Sequence, residues 1–203
     1  MIIRSDINLS YVRVFHASPD APAVDIYVNG ELIFKNVTFK NFTQYVQLPM
    51  GEYKIEVYPA NEKSSPVLTE NIQISQKQVI TVAAAGNFED LQLIPYIEGN
   101  ADDLKTNESK VRVIHLSPDA PKVDVFVNNN LTFKDVGFMD ATDYMKLISG
   151  TYNISVDLAD TKDNVLNLMP EFKSQMVYTI YVVGNPPDLL GIQSLDGTTF
   201  VRF

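Results

Sequence analysis

The sequence predicts an all-β protein made of two tandem antiparallel β-sandwich domains, and two observations carry that expectation. The stretch His16-Ala17-Ser18-Pro19-Asp20-Ala21-Pro22-Ala23-Val24-Asp25 returns as His115-Leu116-Ser117-Pro118-Asp119-Ala120-Pro121-Lys122-Val123-Asp124, an offset of 99 residues in a chain of 203. A period of that size is too long for a solenoid turn and right for a whole domain. Within each repeat, short runs that alternate apolar and polar residues follow one another between Pro, Gly and Asn turn signals, and no amphipathic helix interrupts them. The expected division is a first domain at 1–99, a linker at 100–109 and a second domain at 110–203.

The correspondence runs well beyond the opening motif. Val12-Arg13-Val14 matches Val111-Arg112-Val113, and Tyr45, Gly51, Tyr53, Ile55 and Val57 match Tyr144, Gly150, Tyr152, Ile154 and Val156. From Val79 the offset falls to 98, so that Thr81, Gly86 and Asn87 align with Thr179, Gly184 and Asn185. One residue has been lost from a loop between.

Residues 1–10 read as a polar lead-in or an edge strand. The first regular strand, 12–16, puts Val12, Val14 and His16 on one face and Arg13 and Phe15 on the other. Ser18-Pro19-Asp20-Ala21 suits a type I turn, with serine first and proline second, and Pro22 fixes another φ. In the strand that follows, 24–29, Val24, Ile26 and Val28 point inward and Asp25, Tyr27 and Asn29 outward; Asn29-Gly30 then closes a hairpin. Further strands are expected at 31–35, 42–48, 52–58, 67–74, 78–85 and 91–96, with a single helical turn at 87–90. Leu48, Gly51 and Tyr53 have the spacing of the corner at which sandwich domains tie a tyrosine hydroxyl to backbone, and Leu147, Gly150 and Tyr152 repeat it. The polar, acidic run from Gly99 to Ser109 reads as a linker. The tail 198–203 alternates as an edge strand does, or as a segment docked on the other domain.

The chain is 45% hydrophobic and 20% charged, with a formal charge of -9 and no cysteine. The acidic balance and the lack of a Lys/Arg cluster exclude nucleic acid and anionic membrane surfaces as partners. Without cysteine there is no disulfide frame, thiolate nucleophile or thiolate metal site. The longest apolar run, Val79 to Ala85, is too short to span a bilayer, and the start lacks the apolar core of a signal peptide.

His16 and His115 are the only histidines. One reading makes each a general base or metal ligand, with Ser18, Asp20 and Asp25, or Ser117, Asp119 and Asp124, as partners in a duplicated hydrolase site. The spacing argues against it: His16 and Ser18 straddle a strand end, no second histidine completes a zinc site, and no glycine-rich elbow adjoins the serine. The other reading is a half-buried histidine bonded to turn carboxylate or backbone, which stiffens the bend. Calcium is a further alternative for the four aspartates, although turn chemistry already accounts for them. Tyr27 and Phe126, outward in this register, are the candidates for a carbohydrate platform or a protein interface. No catalytic residue, metal or cofactor is assigned.

The His-x-Ser-Pro-Asp-Ala-Pro-x-Val-Asp opening, with the later Leu-x-x-Gly-x-Tyr strand, resembles the bacterial domain-of-unknown-function family 4397, once per repeat and over nearly the whole chain. The resemblance implies an immunoglobulin-like sandwich in a protein of the kind exported to, or attached at, the bacterial cell envelope, and it brings no catalytic residues. The expected role is therefore a non-enzymatic adhesion, scaffold or binding module for protein or envelope glycan, with homo-oligomers through exposed strand edges.

Overall fold

The computed structural model describes residues 9–201 and 203; the lead-in expected at 1–10 lies outside them except for Leu9 and Ser10. The first sandwich contains β1 (Leu9–His16), β2 (Val24–Val28), β3 (Glu31–Val37), β4 (Val46–Pro49), β5 (Gly51–Pro59), β6 (Leu68–Ile74), β7 (Val79–Ala85) and β8 (Gln92–Ile97). The second contains β9 (Glu108–His115), β10 (Val123–Val127), β11 (Asn130–Val136), β12 (Met145–Ile148), β13 (Gly150–Thr151), β14 (Ile154–Leu158), β15 (Asn164–Leu168), β16 (Glu171–Phe172), β17 (Val177–Val183) and β18 (Leu190–Leu195). The expected all-β class holds, and the helical turn foreseen at 87–90 is a single 3-10 turn at Phe88–Asp90.

Each sandwich has a back sheet, β3-β2-β5-β6 or β11-β10-β14-β15, and a front sheet, β4-β1-β7-β8 or β12-β9-β17-β18. All pairings are antiparallel except β1 with β7 and β9 with β17, which are parallel. A parallel pair needs a long crossover, and here the intervening chain supplies it by building the back sheet. The strand expected at 42–48 starts only at Val46; Phe42 touches β1 through an isolated bridge to Phe15. The tyrosine corner forms in both repeats: Tyr53 Oη donates to Pro49 O at 2.8 Å and Tyr152 Oη to Ile148 O at 2.7 Å.

Within each sandwich the alternating residues meet as foreseen. Val12, Val14, Ile26, Val57, Ile80 and Val82 fill the first core, and Val111, Val113, Val125, Val156, Ile180 and Val182 the second. The front strands, however, are buried on both faces: every residue of β7 and of β17 is buried. The reason is a third core. Phe15, Ala83 and Ala85 of one front sheet pack against Ile114, Leu116, Tyr181 and Val183 of the other, so the sheets stack in four layers, back-front-front-back. Strands covered on both sides read as continuous apolar runs, which explains Val79–Ala85. At the centre, Tyr181 lies 4.8 Å from Phe15 and 5.5 Å from Phe42, ring to ring, and those two phenylalanines stack at 4.1 Å. Ala83 stands where the second repeat has Tyr181, and Ala141 where the first has Phe42, so the large rings of the seam are divided unequally between the two halves.

The connection between β8 and β9 lies against the second sandwich, where Asp103 bridges Lys110 and Lys146 at 2.5 and 2.9 Å. Among its described residues the tail forms no edge strand. It turns through a 3-10 element at Gly197–Thr199 and reaches the first sandwich, with Phe200 against Tyr45 and Phe203 against Tyr11.

Close packing at this seam makes two glycines sensitive. A Cβ on Gly197 would lie 2.7 Å from Tyr45 Cζ, and one on Gly99 2.7 Å from Tyr144 Cε2. Gly197→Ala and Gly99→Ala are each expected to lower the unfolding free energy by about 1–3 kcal/mol in urea denaturation. Gly51→Ala, whose Cβ would meet only Tyr53 Cε2 at 3.7 Å, is expected to stay within about 0.5 kcal/mol of the parent.

Candidate functional site

The repeated motif comes together in both domains as a sealed bend. His16 is 1% and His115 0% exposed. Their Nε2 atoms lie 3.1 Å from Pro22 O and 3.2 Å from Pro121 O. In the second repeat Ser117 N–H donates to His115 Nδ1 at 3.2 Å. That ring nitrogen is therefore the acceptor, and the proton sits on Nε2, donated to the carbonyl. Burial lowers both imidazoles below their usual range, against the opposing bonds to Pro22 and Pro121. The serines do not complete a nucleophile pair: Ser18 Oγ turns to Asp20 Oδ1 at 3.3 Å. A neutral imidazole held this way bridges strand to turn and has no face toward a substrate. The expected half-burial is exceeded because each ring lies on the face of its strand that carries Val12 and Val14, or Val111 and Val113, into its own sandwich, with the proline turn closed over it.

Asp25 points outward, as its register requires, yet it is only 4% exposed. Loops close over it: Oδ1 accepts from Asn36 N–H at 2.7 Å and Oδ2 from Asn61 N–H at 3.0 Å. Both donors have positive φ, 54° and 65°, so the carboxylate holds two otherwise unfavourable backbone turns. Asp124 repeats the first bond, to Asp135 N–H at 2.9 Å, and replaces the second with Lys162 Nζ at 2.8 Å. The Lys162 ammonium and the Asp135 N–H hold its carboxyl below the ordinary range.

Asp20 and Asp119 have parted company. Asp20 Oδ1 accepts from Phe88 N–H at 2.9 Å. The residue equivalent to Phe88 is Pro186, which has no N–H, and Asp119 Oδ1 instead accepts from Asn87 Nδ2 of the first sandwich at 3.0 Å. The motif turns thus meet at one end of the seam. Among the described residues no three acidic or histidine side chains gather to hold a metal ion. Tyr27 and Phe126 are both half-buried, and Tyr27 packs edge-on to Tyr58 at 5.1 Å beneath the Lys63 ammonium at 4.1 Å. Neither forms a broad, flat platform.

What the sequence reading missed is the polar part of the seam. Arg13 and Arg112, in mid-strand at equivalent positions, each bond a threonine through Nε: Thr81 at 2.8 Å and Thr179 at 3.1 Å. Each stacks on its own domain's tyrosine, Tyr45 or Tyr144, at 4.7 and 4.6 Å. Each then reaches across: Arg13 Nη1 donates to Leu195 O at 3.3 Å and Arg112 Nη1 to Ile97 O at 2.9 Å. Such reciprocal contacts are those of a two-fold interface, here between two halves of one chain. Two carboxylates complete it, Glu98 and Asp196. Burial, with Glu98 nearby and Arg112 opposing, pushes the Asp196 carboxyl up to about 7. Burial also raises the Tyr45 and Tyr144 hydroxyls. The signal was present: charged residues recur in mid-strand at Arg13 and Arg112, which an exposed face alone would not require.

The surface offers one open feature twice. A groove of about 450 Å³ runs from Ile33 on β3 to Val46, and its counterpart of about 420 Å³ runs from Thr132 on β11 to Asp143. Asn36, Asn41 and Gln44 line the first where Asp135, Asp140 and Asp143 line the second. Three amides have become three carboxylates, so the grooves share shape and differ in charge.

These bonds predict how the motif responds to change. Asp25→Ala strips two backbone donors of their acceptor and is expected to cost about 2–4 kcal/mol in urea denaturation. Because folding lowers the affinity of His16 and His115 for protons, their stabilisation is full above about pH 6.5 and is lost as the pH falls toward the folded-state value. The double variant His16→Gln/His115→Gln, less stable at pH 7, should therefore lose less of its melting temperature between pH 7 and pH 5 than the parent does.

No curated protein matches this chain. Among solved structures it is similar to the Bacillus anthracis TIE protein, at 10% identity and a TM-score of 0.30, over 87% of this chain and 34% of that one, so it spans about a third of that protein. It is also similar to a family 26 carbohydrate-binding module of Eubacterium rectale Amy13K, crystallised with maltoheptaose, at 8% identity and 0.28 over 93% and 99% of the two chains. The fimbrial anchor protein Mfa2 of Porphyromonas gingivalis is 10% identical, with a TM-score of 0.26 over 93% and 98%. Likeness at this level says nothing of what the present chain binds. The family model described as domain of unknown function DUF4397, by contrast, matches residues 10–126 and 109–201, the two stretches that each carry the sealed His-x-Ser-Pro-Asp bend. The chain belongs to the DUF4397 family, in two tandem copies.

Proposed function

We propose that this protein is a non-enzymatic binding module of the bacterial cell envelope, and that the groove between β3 and Val46 is its ligand site. The observation that carries the reading is the recurrence of one open groove in both repeats beside a motif whose histidines face inward. A duplicated acid-base site needs a histidine that reaches substrate, and both imidazoles already bond to proline carbonyls in the core. The first groove presents amide and hydroxyl groups, from Asn36, Thr38, Asn41, Thr43 and Gln44, with one positive charge at Lys35 and no carboxylate. That is the chemistry of a site for a neutral, hydroxyl-rich ligand, and an envelope glycan is the fitting class. The second groove, with three aspartates, is a diverged copy that favours ligands bearing positive groups. Envelope location rests on the family resemblance. The seam between the sandwiches gives the module a fixed geometry, so both grooves are presented from one body.

The test is co-sedimentation of the purified protein with isolated peptidoglycan sacculi and with intact bacterial cells. Binding is expected, and Lys35→Ala/Gln44→Ala should weaken it by about tenfold. Both side chains are exposed, so the melting temperature should stay that of the parent. Lys134→Ala/Asp143→Ala in the second groove should weaken it less. Absence of binding to both preparations, or binding indifferent to the first-groove pair, would remove the proposal.

A further inference from the structure

We infer that the seam between the two sandwiches is a proton-sensitive latch, tight in acid and weakened above neutrality, with Asp196 as the residue that takes up the proton. The argument starts from one methylene. Equivalent positions in the two repeats hold Glu98 and Asp196, and the longer side chain is fully engaged. Glu98 Oε1 accepts from Tyr45 Oη and Thr81 Oγ1, each at 2.6 Å, and lies 3.4 Å from Arg13 Nη2. Its Oε2 crosses the seam to accept from Gly197 N–H at 2.6 Å. The shorter Asp196 places Oδ2 against Tyr144 Oη at 2.5 Å and Thr179 Oγ1 at 3.1 Å. Its Oδ1 is buried without a hydrogen-bond partner, and no bond from Gly99 N–H, the counterpart of Gly197, joins the described contacts of Asp196.

The charges that face Asp196 do not make up the difference. Arg112 on β9 directs Nε to Thr179 and Nη1 to Ile97 O, and its Nη2 is buried without a hydrogen-bond partner. No ion pair within 4.0 Å joins it to Asp196 among the described residues. From β17, Tyr181 contributes a buried hydroxyl that also lacks a partner. From the first sandwich, Glu98 repels a second negative charge, and Arg13 is already committed to Glu98 and Thr81. A buried carboxylate with one unsatisfied oxygen and no ion pair is costly ionised and tolerable neutral. Its raised value in the folded state has a definite sign. The folded chain holds this proton more tightly than the unfolded one, so stability is full below the ordinary carboxyl range and falls as the pH rises through about 7. Asp196 immediately precedes the turn at Gly197–Thr199 that carries the tail onto the first sandwich, so ionisation acts where the domains join.

The experiment compares melting temperatures of the parent and Asp196→Asn at pH 5 and pH 8. His16 and His115 titrate in the opposite sense in both proteins, so the reading is the difference between them at each pH. The amide mimics the neutral acid: the gap between the two should be small at pH 5 and widen with pH, leaving the variant about 5 °C further above the parent at pH 8 than at pH 5. A difference that does not change with pH would overturn the inference. A measurement free of substitution runs beside it, in which the carboxyl carbon of Asp196 is followed by NMR in selectively labelled protein. A midpoint two or more units above the ordinary aspartate value of about 4 supports the latch, and a midpoint in the ordinary range overturns it.

Discussion

Two arginines in the middle of two strands set the terms for the rest of the molecule. Arg13 and Arg112 are buried, and a buried guanidinium calls for acceptors of fixed position at most of its donors. Each is met by a threonine and an aromatic face in its own domain and by a carbonyl in the other. The front sheets are thereby fixed face to face with their carboxylates, Glu98 and Asp196, enclosed. A pair of tandem domains on a loose linker would have left these faces wet and each front strand half polar. Here they form the inner layers of a four-layer stack, and the apolar character of β7 and β17 follows.

The repeated bend, between β1 and β2 in the first repeat and between β9 and β10 in the second, serves this architecture. Its histidine links strand to turn from inside, and its second aspartate holds backbone of positive φ from outside, at two turns for Asp25 and at one turn, with Lys162, for Asp124. Every polar atom so used is one less available for chemistry. The aspartate between them shows how a duplicated motif drifts: where Asp20 meets a backbone donor at Phe88, Asp119 faces a proline and turns instead to Asn87 of the neighbouring sandwich. A local tie has become a tie between domains.

The two repeats have diverged in complementary ways. Phe15 and Phe42 on one side of the seam pack against Tyr181 from the other, while their counterpart positions include the small residues Ala83 and Ala141. A glutamate on one side has an aspartate as its counterpart, and only the longer side chain bridges to the opposite backbone. Three amides in one groove correspond to three carboxylates in the other. Pairing of unlike halves is favoured by the first difference, proton sensitivity by the second and ligand choice by the third.

The local features were legible from residue order because they depend on neighbours a few positions apart. The period of 99, the strand alternation, the Pro-bounded turn, the Asn-Gly hairpin and the tyrosine corner are all of this kind, as is the placement of Val12, Val14, Val24 and Ile26 in a core. The sealing of His16 and His115, the burial of Asp25 under the loops of Asn36 and Asn61, and the joining of Arg13 to Leu195 were not. They depend on loops and strands that arrive from distant parts of the chain, and alternation along a strand reports only that two faces differ. The sequence by itself determined two β-sandwiches and the shape of their bends. Only the tertiary structure decided that both faces of each front sheet are buried, because burial is set by the partner that arrives across the seam, many residues away in the chain.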